Sequence, residues 1–216
     1  MVRSLVSLLP GSFRTDLRAW HHRRQMSRGK FRSPEPEWDR LIEWLRPGDT
    51  ALDVGANVGH FTCRMSRLVG PSGRVIAFEP VPATFAALTA NGKHFPHPNV
   101  TLLNAAVGEA VGVVGMSVPT GADGSYLARV DPTAELKCVV LSVDSLALPG
   151  PVRLVKVDAE GYEPKVLAGM TKLLARDKPV VILERNAEAE RMLEAMGYTV
   201  TRSPGKTPNV VAVAAL

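Results

Sequence analysis

Carboxylates at the ends of short apolar segments are the first residues in this sequence that could do chemistry. Residues 50–54 form an apolar segment that contains Asp53 and is followed by Gly55 and Gly59. Glu79 ends a second apolar segment further along the chain. In an open α/β sheet, ligands bind outside the carboxyl ends of the strands, and a glycine there removes the Cβ that would block their approach. The pattern therefore predicts a small-molecule site at the edge of a parallel sheet.

The chemistry of the first turn separates two nucleotide-like ligands. A dinucleotide site has the pattern Gly-x-Gly-x-x-Gly, with helix amides directed at a pyrophosphate. The pattern here is Asp-x-Gly-x-x-x-Gly, and the carboxylate of Asp53 would repel a phosphate. S-adenosylmethionine offers an ammonium group, a sulfonium and a ribose but no phosphate, and Glu79 can accept both ribose hydroxyls. The two acids therefore favour this cofactor over a nicotinamide; the alternative is an ordinary strand-to-helix turn beside a surface glutamate.

A further acidic group follows the strong strand pattern of residues 152–158. Asp158 ends this segment and Glu160 comes two residues later, so both are expected at the ligand-binding edge of the sheet. A hydroxyl group is a poor nucleophile until a base accepts its proton. We hypothesise that Asp158 or Glu160 is this base, with Asp158 favoured because it ends the strand directly. Lys156 is the third residue predicted to be catalytic; it faces the same side of the strand as Asp158 and is expected to pair with it or with Glu184.

Two other roles for these acids stay open. Asp158 or Glu160 could cap the helix expected from about residue 162 and orient the loop before it. Asp158, Glu160 and Glu184 could together hold a divalent metal, since hard cations take oxygen ligands. Acids on separate strand ends are more often solvated or paired with Lys and Arg, so we predict no catalytic metal.

The order of strand and helix patterns indicates how these residues are positioned. Strand-length apolar segments alternate with helical patterns, which predicts an α/β fold with a mostly parallel sheet and helices on both faces. Segments 111–118 and 136–141 depart from this alternation and predict a short antiparallel insertion around the polar loop 120–125, beside the site. Ile42 and Thr89 are among the helix residues expected to face inward. The other predicted strands are residues 50–54, 74–78, 100–104, 152–158, 179–184, 198–202 and 209–214, and the helices are residues 34–47, 61–69, 83–94, 162–174 and 187–196.

Five segments, in order, resemble the FkbM-type S-adenosylmethionine-dependent methyltransferases. They are Leu-Asp-Val-Gly-Ala-Asn-Val-Gly at 52–59, Ala-Phe-Glu-Pro at 77–80, Ala-Val-Gly at 106–108, Ser-Val-Asp-Ser-Leu at 142–146 and Leu-Val-Lys-Val-Asp-Ala-Glu-Gly-Tyr-Glu at 154–163. The resemblance implies the Rossmann-like class I methyltransferase fold, with a seven-stranded sheet whose last strand is antiparallel. It also implies methyl transfer to a hydroxyl oxygen, usually on a sugar, a glycan or a secondary metabolite.

The resemblance also assigns residues to the S-adenosyl-L-methionine site. Those implied to lie against its methionine part are Asp53, Gly55, Asn57 and Gly59. Glu79 is implied to hold the ribose, and Asn104 or Ala105 to lie near the adenine. The remaining residues predicted to bind the cofactor are Ala56, Phe61, Pro80 and Asp158. Tyr162 stands where the family commonly has a small residue, and it could alter the acceptor pocket.

The net charge of +5 is concentrated in residues 1–33, which we call the basic arm. The arm has eight Lys or Arg and one acid, a balance of +7, whereas residues 34–216 have 18 bases and 20 acids, a balance of −2. We therefore predict the arm as one part and residues 34–216 as the methyltransferase domain. The arm suits packing on the domain, packing on a second copy in a homodimer, or peripheral contact with an anionic membrane.

Composition also bears on location and on the rival functions. No apolar run approaches the roughly 20 residues of a membrane helix, and Cys63 and Cys138 have neither a disulfide framework nor metal spacing, so we predict a cytoplasmic protein, free or peripheral to a membrane. A nucleic-acid methyltransferase that uses the arm is one alternative, but the domain is slightly acidic and no aromatic platform accompanies the charge. A small-molecule or glycan acceptor is expected instead. A non-catalytic cofactor-binding scaffold is the other alternative, and the intact Asp53, Glu79 and Asp158 argue against it.

Overall fold

Apolar strands that alternate with amphipathic helices build a central sheet covered on both faces. A computed structural model of the chain describes residues 31–119, 128–148, 150–205 and 207–215. Its helices are α1 (Pro36–Trp44), α2 (His60–Val69), α3 (Pro82–Gly92), α4 (Glu163–Ala168), α5 (Thr171–Asp177) and α6 (Ala187–Ala195). Its strands are β1 (Thr50–Val54), β2 (Arg74–Phe78), β3 (Val100–Leu103), β4 (Ala106–Val107), β5 (Gly112–Ser117), β6 (Arg129–Val130), β7 (Lys137–Leu141), β8 (Val152–Val157), β9 (Val180–Glu184), β10 (Tyr198–Arg202) and β11 (Asn209–Ala214).

The main sheet has seven strands in the order β10-β11-β9-β8-β1-β2-β3. Strands β9, β8, β1, β2 and β3 run parallel to one another, and β11 runs antiparallel to both β9 and β10. The predicted class I methyltransferase arrangement is therefore confirmed. The chain order reverses on the two sides of β1, which makes the carboxyl ends of β1 and β8 the switch point where α/β sheets bind ligands.

Both faces of this sheet are buried, which is why its strands are nearly continuous apolar runs. Alternate strand residues pack on opposite sides, because successive side chains of a strand point to opposite faces. Leu52 packs in the cluster that includes α4 and α6, whereas its neighbour Ala51 packs in the cluster that includes α1 and α2. Trp38 and Phe61 meet edge to face in that second cluster, with ring centroids 5.3 Å apart.

The predicted antiparallel insertion is confirmed as a separate four-stranded sheet in the order β4-β7-β5-β6. Strand β5 is antiparallel to β6 and to β7, and β4 is parallel to β7. Met116, Cys138 and Val140 pack with Val81, the residue that precedes α3. The insertion is thereby held over the loop that follows β2. The predicted polar loop 120–125 lies outside the described residues.

Three local predictions were wrong. Ile42 is 57% exposed, because the inward face of α1 is formed by Glu37, Trp38 and Leu41. Thr89 is exposed and donates its hydroxyl to the carbonyl of Phe85, one turn earlier. The single helix expected at residues 162–174 is two helices, α4 and α5. They separate at Gly169, where a Cβ would lie 1.9 Å from the carbonyl oxygen of Gly108.

Within the part of the chain that is described, no helix is long and apolar enough to cross a membrane. Most of the basic arm, residues 1–30, lies outside this part. At its end, Phe31 stacks on His60 with ring centroids 3.8 Å apart. The predictions of a membrane-contacting arm, a homodimer and a separate domain at residues 34–216 therefore stay predictions.

Candidate cofactor and active site

A cavity of about 300 Å³ lies at the carboxyl edge of the main sheet, at the switch point. The ends of β1, β2 and β8 form one side, and the insertion forms the other. The residues that line it are Val54, Gly55, Asn57, Phe78, Glu79, Pro80, Val81, Ala105, Ala106, Val107, Met116, Ala128, Val130, Asp158, Ala159, Glu160, Tyr162 and Val166. The insertion was predicted to lie beside the site, but its lining residues Met116, Ala128 and Val130 were not named, because the sequence does not show which of its side chains face the cavity.

The turn after β1 is shaped by internal contacts. Gly55 has φ +77°, and a Cβ on it would lie 1.9 Å from the backbone oxygen of Asp158. The backbone N–H groups of Gly55 and Ala56 both donate to the carbonyl of Phe78, at 3.0 and 2.9 Å. The glycine at this position therefore allows β8 to approach the turn, in addition to leaving room at the cavity.

Five residues predicted to contact the cofactor do not line the cavity: Asp53 and Asn104, which are described below, and Ala56, Gly59 and Phe61. Ala56 packs against Ala77 and Leu88, and Phe61 belongs to the cluster with Trp38. Gly59 caps α2 in the left-handed region, with φ +91°, and a Cβ there would lie 2.6 Å from the side chain of Leu88. These residues shape the turn, and the structure does not bring them to the cavity surface.

Glu79 is held rigidly at the cavity wall. Its Oε1 accepts the N–H of Val81 and its Oε2 accepts the N–H of Asn57, both at 2.9 Å. Burial raises the pKa of this carboxyl to about 7, although the two N–H donors favour its charged form. Each carboxylate oxygen has a second lone pair, so Glu79 keeps acceptor capacity for ligand hydroxyls. Asn104 supports this wall from behind, since its Nδ2 donates to the carbonyls of Glu79 and Pro80 at 2.9 and 3.1 Å.

Asp53 is fully buried next to the cavity, without being one of the lining residues. Its Oδ2 accepts the hydroxyl of Thr62 at 2.5 Å, and its Oδ1 has no hydrogen-bond partner among the described residues. Burial raises its pKa, and the positive charge of Lys156 acts in the opposite direction. A buried carboxylate oxygen without a donor is costly, so this site fits a ligand that brings a cation or hydrogen-bond donors, as S-adenosylmethionine does.

Lys156 pairs with Asp158, as one of its two predicted pairings states. The ammonium lies 2.8 Å from Asp158 Oδ2 and 4.9 Å from the ring centroid of Phe61, and the residue is 4% exposed. Burial opposes the charge of Lys156, but the negative charges of Asp158 and Asp53 outweigh it and hold the pKa of the ammonium above its ordinary value. The ion pair thereby holds the side chain of Asp158 in place at the cavity surface.

Three carboxylates from the ends of β8 and β9 come together at the mouth of the cavity. One oxygen each from Asp158, Glu160 and Glu184 lies within 4.8 Å of the others. Burial, followed by the negative charges of Asp158 and Glu160, raises the pKa of Glu184 to about 7. Burial and Asp158 also raise the pKa of Glu160. This group can therefore take up a proton near neutral pH, and the prediction that it holds no metal stays a prediction.

Glu163 is a functional residue that the sequence reasoning missed. It is 1% exposed, and its Oε1 accepts the N–H groups of Ala159 and Gly161 at 3.1 and 3.0 Å. Its Oε2 accepts from Asn186 Nδ2 at 3.1 Å. Glu163 therefore orients the loop that carries Glu160. From the sequence, Asp158 or Glu160 was a candidate for this role. The sequence feature that could have identified Glu163 is its position as an acid in the first turn of α4, directly before a proline.

We expect Glu163→Gln to destabilise the fold by about 1–3 kcal/mol, the cost of leaving buried polar groups unpaired. Whichever way the amide is turned, its NH₂ group faces either two backbone N–H donors or the amide of Asn186. Urea denaturation followed by circular dichroism measures the change. Glu188→Gln, an exposed acid in the first turn of α6, is the matched control. Equal midpoints for the two variants would contradict the role of Glu163.

Comparison with known proteins places these features in a family. Residues 53–200 match the family described as Methyltransferase FkbM domain. The chain is 31% identical over 145 residues to the hexuronic acid methyltransferase AglP of Haloferax volcanii, with 66% of this chain and 58% of the relative covered. It is 32% identical over 159 residues to the 31-O-demethyl-FK506 methyltransferase FkbM of Streptomyces tacrolimicus, with 58% and 61% covered. The chain thus spans about three fifths of the length of these curated relatives.

Solved structures show the same fold. The methyltransferase FkbM from Methylobacillus flagellatus superimposes with a TM-score of 0.57 at 14% identity, covering 82% of this chain and 50% of that chain. A putative methyltransferase from Streptococcus mutans in complex with SAH gives a TM-score of 0.51 at 14% identity, covering 82% and 93%. Because the family match covers more than half of the chain, the chain belongs to the FkbM methyltransferase family.

Proposed function

We propose that this chain transfers the methyl group of S-adenosylmethionine to a hydroxyl oxygen of a sugar or another small hydroxylated acceptor. The observation that carries the proposal is the juxtaposition of Glu79, Asp158 and Glu160 in one cavity at the switch point of the sheet. By their names, the two relatives act on a hexuronic acid and on an O-demethylated metabolite. An acidic cavity also disfavours a nucleic-acid acceptor, since carboxylates repel phosphates.

The described residues suit the parts of the cofactor. Glu79 would accept the ribose hydroxyls, and the acidic pair Asp53 and Asp158 would face the ammonium group. Val81 and Ala105 would contact the adenine from the apolar side of the cavity. The cofactor supplies an electrophilic methyl group; the protein orients the acceptor and removes its proton.

Of the two acids at the mouth that line the cavity, Asp158 and Glu160, Glu160 is the better placed proton acceptor. The carboxylate of Asp158 is already engaged in a 2.8 Å ion pair with the buried Lys156. Glu160 has a raised pKa and only a 4.0 Å ion pair with Arg129. The acceptor hydroxyl would lose its proton to the Glu160 carboxylate as its oxygen takes the methyl group. This assignment departs from the preference for Asp158 that its position in the sequence suggested.

The cofactor part of the proposal is tested by calorimetry with S-adenosylmethionine. We expect saturable binding to the native chain and about 10–100-fold weaker binding to Glu79→Gln, as for the loss of hydrogen bonds to a charged group. Affinity should fall as the pH drops through about 7, because a protonated Glu79 accepts hydroxyl donors less well. This pH dependence should be reduced in the variant.

Glu109→Gln is the control, since this glutamate is exposed and pairs with Lys165 at the surface. Thermal melts establish that each variant is folded. Absence of binding to the folded native chain would overturn the proposed function.

A further inference from the structure

Arg129 lies close enough to the candidate active site to contact an acceptor bound there. It begins β6, the edge strand of the insertion, and its side chain is 66% exposed. Its Nη2 lies 4.0 Å from Glu160 Oε2, which is the long end of an ion-pair distance. The insertion therefore presents a cation directly to the residue proposed as the base.

A second cavity adjoins the first at this strand. Its volume is about 540 Å³, and it is lined by Ser117, Pro119, Arg129, Val130, Asp131 and Pro132. Val130 lines both cavities, so the two meet along β6. The carboxylate of Asp131 is turned to Thr133, whose N–H and hydroxyl it accepts at 2.9 and 2.7 Å. The described wall thus offers a molecule in this cavity one cation, the guanidinium of Arg129, beside the carboxylate of Asp131, whose Oδ1 is engaged by Thr133.

The charges of the first cavity are complementary to this cation. Its charged lining residues within the described chain are the acids Glu79, Asp158 and Glu160. An acceptor with its own negative charge would be repelled by them unless a cation stood at the point of entry. Arg129 provides that cation between the two cavities.

We infer that Arg129 is a specificity-determining residue that binds a carboxylate on the acceptor, so that the acceptor class is carboxylate-bearing sugars rather than neutral ones. The inference rests on the proposed function and deepens it. A guanidinium binds a carboxylate through two parallel hydrogen bonds, a geometry that a lysine cannot reproduce. When the acceptor carboxylate binds, Arg129 exchanges its partner Glu160 for this carboxylate. The exchange costs little, because an exposed ion pair such as Arg129–Glu160 contributes about 0–1 kcal/mol.

The exchange also leaves Glu160 better suited to accept a proton. The positive charge of Arg129 lowers the pKa of Glu160, against the effects of burial and Asp158. An acceptor carboxylate that neutralises Arg129 removes this influence. The proton affinity of Glu160 would then rise when a carboxylate-bearing acceptor is bound.

The test compares methyl glucuronide with methyl glucoside, which differ in the carboxylate. Their binding is measured by calorimetry on the full chain saturated with S-adenosylhomocysteine, so that the readout does not depend on methyl transfer. We expect the glucuronide to bind at least about tenfold more tightly, as for a hydrogen-bonded charged group. Arg129→Ala should abolish this preference by weakening glucuronide binding to the level of the glucoside. Arg129→Lys should restore the preference only in part.

Arg153→Ala is the matched control, since Arg153 is 58% exposed and forms a comparable 3.9 Å pair with Asp49 at the opposite edge of the sheet. Equal binding of the two glycosides, failure of the glucuronide to bind, or a preference that survives Arg129→Ala would overturn the inference. Arginine-dependent glucuronide binding without methyl transfer to either glycoside would instead count against the proposed function alone.

Discussion

Glu160→Gln is expected to lower turnover by about 10²–10⁴-fold, the range for loss of a general base. Glutamine keeps the size of the side chain and cannot take up the hydroxyl proton. Glu160 is partly exposed at the cavity mouth, so the substitution leaves the core intact. Affinity for S-adenosylmethionine should stay within about threefold, because the acids proposed to hold the cofactor are unchanged. Steady-state kinetics with an acceptor that the native chain methylates give the turnover, and calorimetry gives the affinity.

The pH dependence of turnover distinguishes Glu160 from Asp158. A base must be deprotonated, so turnover should rise with pH through the pKa of Glu160, which burial and Asp158 raise above its ordinary value. Asp158→Asn removes a like charge, so it should move this rise to lower pH and preserve most of the plateau. Asparagine can still accept a hydrogen bond from Lys156, which limits the cost to the fold. If Asp158→Asn abolishes turnover and Glu160→Gln does not, Asp158 is the base.

Gly55→Ala is expected to lower the free energy of unfolding by about 2–5 kcal/mol. The left-handed conformation of this residue, with φ +77°, accounts for about 1–2 kcal/mol. Overpacking adds about 1–3 kcal/mol, because the new Cβ would lie 1.9 Å from the backbone oxygen of Asp158. Movement of β8 away from the turn would also displace Asp158, so S-adenosylmethionine binding should weaken in the folded fraction.

Gly150→Ala provides a control that isolates the backbone conformation. Gly150 has nearly the same φ, +76°, but no atom lies within 4 Å of the position of a Cβ. Its substitution should cost about 1–2 kcal/mol and leave cofactor binding unchanged. Denaturant titration of both variants gives the comparison. Equal costs for the two glycines would show that the approach of Asp158 to the turn does not constrain residue 55.

Local patterns in the sequence were sufficient to predict the strands of the main sheet. Strands β1, β2, β10 and β11 have the predicted bounds. Each is rich in apolar or β-branched residues and begins directly after glycine, proline or a charged residue. The helix prediction for residues 162–174 was wrong because the break at Gly169 depends on Gly108, which is distant in the sequence. A periodic pattern shows which residues of a segment are apolar. It does not show where the backbone of a distant segment, such as that of Gly108, packs against it.

The sequence by itself determined the α/β fold, the family, and the edge of the sheet where Asp53, Glu79, Asp158 and Glu160 stand, since these follow from the types and spacing of residues along single strands. Only the tertiary structure decided what surrounds them. The pairing of Asp158 with Lys156 and the raised pKa of Glu160 both depend on burial and on neighbours brought in by other elements. The position of Arg129 beside Glu160 likewise requires the insertion to fold over the cavity, a contact between segments that no local pattern encodes.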